Sequence, residues 1–205
     1  MPCGDLSDCP NLADDERRVW RFAEAKMAAC MGYNDDGKEK LRSFLANVMY
    51  DRRHGGEQRI SNILITGSSA MDRAVLARTI ADLLWALKLV NGKFAEVSSK
   101  DVGGKRMLAA FQKNEGGIVF LDEAHGLAKY RKAHKFFCEK LAAPRFSYPP
   151  VVGRLDGQGR AVANTLVIAA GDHVEMCNFL NERRRMWNRF STNLFFDVET
   201  YARGE

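Results

Sequence analysis

Four consecutive apolar residues, Ile118-Val119-Phe120-Leu121, run straight into two acids, Asp122 and Glu123. A helix shows one apolar stripe, and a half-exposed strand alternates. A short unbroken run after Gly116-Gly117 reads instead as a strand covered on both faces, as in the middle of a parallel sheet. Adjacent carboxylates at the end of such a strand are costly unless they are used or solvated. That carboxyl end is also where α/β ligand sites lie. The competing reading is a strand that runs into an exposed acidic turn.

The rest of the chain supplies partners for this strand. Ile60–Thr66 is a β-branched run that stops at Gly67, and strands are also expected over 93–98, 164–170 and 193–198. Between them, Ala74–Lys88 carries Leu76, Ile80, Leu83, Leu84 and Leu87 at helical spacing. Further helices are expected over 102–113, 132–143 and 173–181. The Pro- and Gly-rich stretch 144–160 reads as a loop. Strands alternating with helices imply an α/β fold of three layers around a five-stranded parallel sheet. Two helices precede it. One follows Pro10 and ends near Gly32, and the second runs over 36–53, so residues 1–57 read as an N-terminal helical extension and 58–205 as the core.

A strand, a glycine and then a helix mark the place of a phosphate-binding loop, G-x-x-x-x-G-K-[ST]. Here the segment is Gly67-Ser68-Ser69-Ala70-Met71-Asp72-Arg73-Ala74. The first glycine is present and the other three defining positions differ. Asp72 stands where bare backbone wraps a phosphate. At ~5 Å and an effective dielectric of ~20, its repulsion of a phosphate charge is about 3 kcal/mol. Arg73 keeps the lysine's charge in a bulkier planar group. Ala74 has no hydroxyl for Mg²⁺. The helix N-terminus retains its dipole, so weak ATP/Mg²⁺ binding is the expectation, without efficient hydrolysis. By itself the segment also reads as an ordinary strand-to-helix turn.

Composition limits the classes of function. The chain has 205 residues, 46% hydrophobic and 28% charged, enough for a core of its own. The net charge of +5 reads mainly as a solvated mixed surface. With no long Lys/Arg run and no aromatic-interleaved basic stripe singled out, nucleic acid is not the favoured partner. Five widely spaced cysteines include no C-x-x-C pair, which argues against zinc or a disulfide framework and for a reducing, cytoplasmic compartment. The acidic N-terminal segment has no apolar signal-peptide core, so secretion is not expected. No apolar run approaches the ~18 residues of a membrane span.

The order of these motifs resembles the AAA+ proteins related to red-type Rubisco activase, a group that includes ATPases associated with type VII secretion. The similarity extends from about Lys38 to Val198. It rests on Lys38–Leu45 before the first strand, Asn62–Gly67 into Walker A, Val75–Leu89 after it, and Glu96–Asp101. It continues through Gly116–Ala124 as Walker B, Leu166–Gly171 as the strand carrying sensor 1, and Leu194–Asp197 as the fifth strand. The resemblance implies that Asp122 holds Mg²⁺, that Glu123 activates water, and that Arg189 is an arginine finger reaching a neighbouring subunit. The alternative for Arg189 is a surface residue beside the basic run Arg183-Arg184-Arg185. The chain departs from the group in its Walker A, in a pore loop over 102–107 without an aromatic residue, and in the lid expected after about Val198. Together these departures lead to an expected pseudo-ATPase, a structural or regulatory subunit partnered by an AAA+ homologue or by itself. An active remodelling ATPase with an atypical loop and a nucleic-acid module are the alternatives.

Overall fold

The computed structural model describes residues 14–30, 35–53, 59–60, 62–67, 69–98, 101, 105–142, 146–147, 165–181 and 190–197. Helices α1 (Asp14–Cys30) and α2 (Asp35–Arg53) come first. Two short strands follow, β1 (Arg59–Ile60) and β2 (Asn62–Thr66), and then helix α3 (Ala70–Ala86). The chain continues through β3 (Phe94–Val97), α4 (Lys105–Lys113) and β4 (Ile118–Leu121). A 3₁₀ helix spans Ala124–Lys129 and leads into α5 (Arg131–Ala142). The remaining elements are β5 (Phe146–Ser147), β6 (Leu166–Gly171), α6 (His173–Asn181) and β7 (Phe190–Asp197).

The main sheet has the order β3-β4-β6-β2-β7. Every neighbouring pair in it is parallel. The four strands from β3 to β2 carry described side chains, whereas β7 is described beyond Phe190 by its backbone pairing alone. β4 and β6 are buried at every position, as an unbroken apolar run requires of an interior strand. The small second pair, β1 with β5, is antiparallel and sets Ile60 opposite Phe146. Its strand β5 falls inside the stretch expected to be a loop.

The alternation of strand side chains divides the core in two. One face buries Ile63, Ile65, Ile118, Phe120, Ile168 and Ala170 against α1, α2 and α3. The other buries Leu64, Val119, Leu121, Val167 and Ala169 against α4, α5, α6 and the 3₁₀ helix. This is the three-layer arrangement expected of a parallel sheet. Trp20 and Leu41 are buried in the same cluster as β2 and α3, so α1 and α2 pack onto the sheet and do not stand apart from it. Among the described residues no helix is long and apolar enough to cross a membrane.

One boundary matters for the site. Helix α3 begins at Ala70, four residues before its expected start. Ser69 caps it, its hydroxyl accepting from the Asp72 N–H at 3.2 Å. The Arg73 N–H closes the first turn on the Ser69 carbonyl at 3.1 Å.

Candidate functional site

The carboxyl ends of β2, β4 and β6 converge, and there the segment 67–74 meets Asp122 and Glu123. Helix geometry decides which side chains enter. Arg73, Leu76, Ala77, Ile80, Leu83 and Leu84 form the buried stripe of α3 at its three- and four-residue spacing, which the C-cap Leu87 continues. Arg73 is the first member of that stripe and is only 1% exposed. Asp72, one position earlier, lies in solvent in the helix's first turn, where the dipole favours an acid. Asp72 therefore stays outside the buried cluster, and Arg73 is the residue of the segment that enters it.

Each nitrogen of the Arg73 guanidinium donates a hydrogen bond. Nε donates to Asp122 Oδ1 at 3.0 Å, Nη2 donates to Glu123 Oε1, and Nη1 donates to the Gly67 carbonyl. The Asp122 side chain is 16% exposed and that of Glu123 33%. One buried cation thus holds both acids and the carbonyl of the loop's first glycine. Arginine's rigid fork suits three divergent acceptors in a way that a lysine ammonium on a flexible stem does not.

Backbone geometry brings the acids to it. The Asp122 N–H donates to the Val97 carbonyl at 3.0 Å and so continues the ladder past β4. Glu123 then adopts φ 52, ψ 43, a left-handed conformation rare for a residue with a side chain. That turn starts the 3₁₀ helix. Glu123 Oε2 also lies 3.5 Å from His125 Nε2.

Residues not singled out from the sequence line the same edge. Thr66, buried at the end of β2, places Oγ1 3.3 Å from His173 Nδ1. His173 Nε2 is 3.7 Å from Cys177 Sγ one turn along α6. Asp172 caps α6, accepting from the Val174 and Glu175 N–H groups. Gly171 leaves room for its neighbours, since a Cβ there would sit 3.0 Å from His125 Nδ1 and 2.9 Å from Met176 Cγ. Among the described residues, His125 Nδ1 is buried without a hydrogen-bond partner. A histidine following a Walker B-like Asp-Glu, and one opening the helix after the sensor strand, were the available sequence signals.

The donor set does not fit magnesium-bound ATP. Asp122 and Glu123 are tied to Arg73, and Ala74 offers no oxygen. Of the four residues between the motif's two glycine positions, Ala70 and Met71 are already helical, so less loop is left to wrap a phosphate. Among the described residues no group of three His, Cys, Asp or Glu side chains is placed to hold a metal. Ser68 and Arg189 lie outside the described residues, as do 102–104 of the expected pore loop.

No protein-family model matches this chain, and no curated protein does. Solved structures do. Two mutant forms of Thermotoga maritima RuvB are similar to it. One is 16% identical over 80% of this chain and 46% of that one, with TM-score 0.53. The other is 17% identical over 86% and 48%, with TM-score 0.55. A closed-state structure of Hsp104 with ATPγS and casein is 12% identical over 91% of this chain and 37% of that one, with TM-score 0.58. The chain thus spans less than half the length of each. At these identities the likeness is one of fold alone.

Proposed function

We propose that this chain is a non-hydrolysing AAA+ homologue, a structural or regulatory subunit that resembles the red-type Rubisco activase group in the order of its motifs. The observation that supports the proposal is the clasp of Arg73 on Asp122, Glu123 and Gly67. Hydrolysis in this fold needs the first acid on magnesium and the second on water. Here both acids serve a buried cation. Seating a metal-bound triphosphate means detaching Arg73 from both, and hydrogen bonds to charged groups are worth about 1.5–3 kcal/mol each. Weak contact of ATP/Mg²⁺ with the first turn of α3 is what remains.

In this reading the chain docks on a related AAA+ ATPase or on a second copy of itself. Arg189 serves there as the arginine finger, completing a neighbour's site and not its own. The test is thermal melting of the purified chain with millimolar Mg-ATP, alongside a phosphate-release assay. Ligand binding must raise the melting temperature. The expected shift is under about 1 °C, and the expected phosphate release is background. Brisk turnover that collapses in Glu123→Gln would show a working ATPase and end the proposal.

A further inference from the structure

We propose that Lys129, Tyr130, Arg131, Lys132 and Lys135 form a binding surface for single-stranded nucleic acid, separate from the clasped loop. Read along the chain, these residues merge into an amphipathic helix, because Ala133, Phe137 and Leu141 recur among them at helical spacing. In the fold they gather where the 3₁₀ helix meets α5. All four cations are exposed, and Tyr130 is 47% exposed.

These cations are set apart by being both unpaired and clustered, whereas Lys88, Lys93 and Lys113, also unpaired among the described residues, have no cation beside them in the chain. Arg17, Lys26, Arg42, Arg73 and Arg106 each sit against a carboxylate. Lys129, Arg131, Lys132 and Lys135 have no ion-pair partner among the described residues. Their position is also unfavourable in isolation. Helix α5 has no acid in its first turn. Each cation near that end opposes the helix dipole at a cost of about 0.3–1 kcal/mol. A row of phosphates offsets both the mutual repulsion and the dipole.

Tyr130 selects the class of polyanion. An aromatic ring among unpaired cations offers a platform on which a base stacks, and every base has a π-face for it. An acidic peptide brings charge but no such face. The clasp favours the same partner. With Arg73 on them, Asp122 and Glu123 present about half the negative charge that two bare acids would. Glu123 also stands about 12 Å from Lys129 along the 3₁₀ helix, beyond the ~8 Å screening length at physiological salt.

The test is fluorescence anisotropy of labelled 20-mers of oligothymidylate and oligouridylate with the whole chain, titrated from 50 to 200 mM salt. Four phosphate contacts predict a log–log salt slope near −2.8 for a single strand, from about −0.7 per contact. The variant Lys129→Gln/Arg131→Gln/Lys132→Gln should bind at least tenfold more weakly and lose about two units of that slope. A control with the same change in charge, Lys88→Gln/Lys93→Gln/Lys113→Gln, should stay within about threefold. Tyr130→Ala should weaken single-strand binding about tenfold and leave duplex binding unchanged. All these positions are exposed, and unchanged melting temperatures check that the variants fold. The proposal is overturned by absent binding at 50 mM salt, by equal losses in the patch and control variants, or by an unaffected Tyr130→Ala. Competition by polyglutamate as effective as that by oligothymidylate would assign the patch to an acidic protein segment instead.

Discussion

Arg73 shows how one buried side chain can tie together two acids and a carbonyl from separate segments. Its burial is tolerable only because each arm of the fork has an acceptor, and removing the cation leaves two carboxylates facing a carbonyl. Breaking a buried charge pair typically costs about 3–5 kcal/mol. Glu123 is a third exposed and can recover water, so Arg73→Met is expected near the low end, about 3 kcal/mol. Urea denaturation checks this. In Arg73→Met/Asp122→Asn one of the stranded charges is gone, so the double variant should be more stable than the two single losses sum to, by about 1–3 kcal/mol. Simple additivity would show that the two residues do not interact. The identities of these residues and the elements that carry them were readable from sequence. Their junction was not, because Arg73 and Asp122 are 49 positions apart and nothing local in either segment encodes the other.

Elements were legible where one pattern dominated. The strand Ile118–Leu121 and the helix His173–Asn181 appear where they were expected, the first because a short apolar run bounded by Gly116-Gly117 and two acids suits a strand covered on both faces. The start of α3 was misplaced because the phosphate-loop template imposes a loop through residue 74. Ser69-x-x-Asp72 carried the local capping signal, and that signal prevailed. The 3₁₀ helix was invisible, since a six-residue element is too short to show a period. Two substitutions test these junctions. Ser69→Ala removes the cap and should cost about 1 kcal/mol. Gly117→Ala should cost more, about 1–3 kcal/mol, because its Cβ would fall 2.5 Å from the Lys93 carbonyl oxygen where β3 and β4 begin to pair. Chemical denaturation of each variant gives the comparison. A neutral Gly117→Ala would mean that the start of the sheet yields easily.

At the scale of the molecule, α1 and α2 share a buried cluster with the sheet. Trp20, 1% exposed, lies in the cluster that joins α1, α2 and α3 to β2, β4 and β6. A helix pair that shares its core with the central strands must unfold with them, as small single domains generally do. The protein's tryptophans make this measurable. It has three, Trp20 buried, Trp85 60% exposed, and Trp187. Replacing Trp85 and Trp187 by Phe leaves Trp20 as the reporter for α1. Its fluorescence transition in urea should coincide with the far-UV circular dichroism transition of the whole chain. Trp20→Ala, followed by circular dichroism alone, should then cost about 3–5 kcal/mol of stability, the usual loss for a buried aromatic. An earlier fluorescence transition would mean that α1 detaches while the sheet persists. The cluster would then be a docking contact, and the clasp at the far end of α3 would have to hold its shape without it.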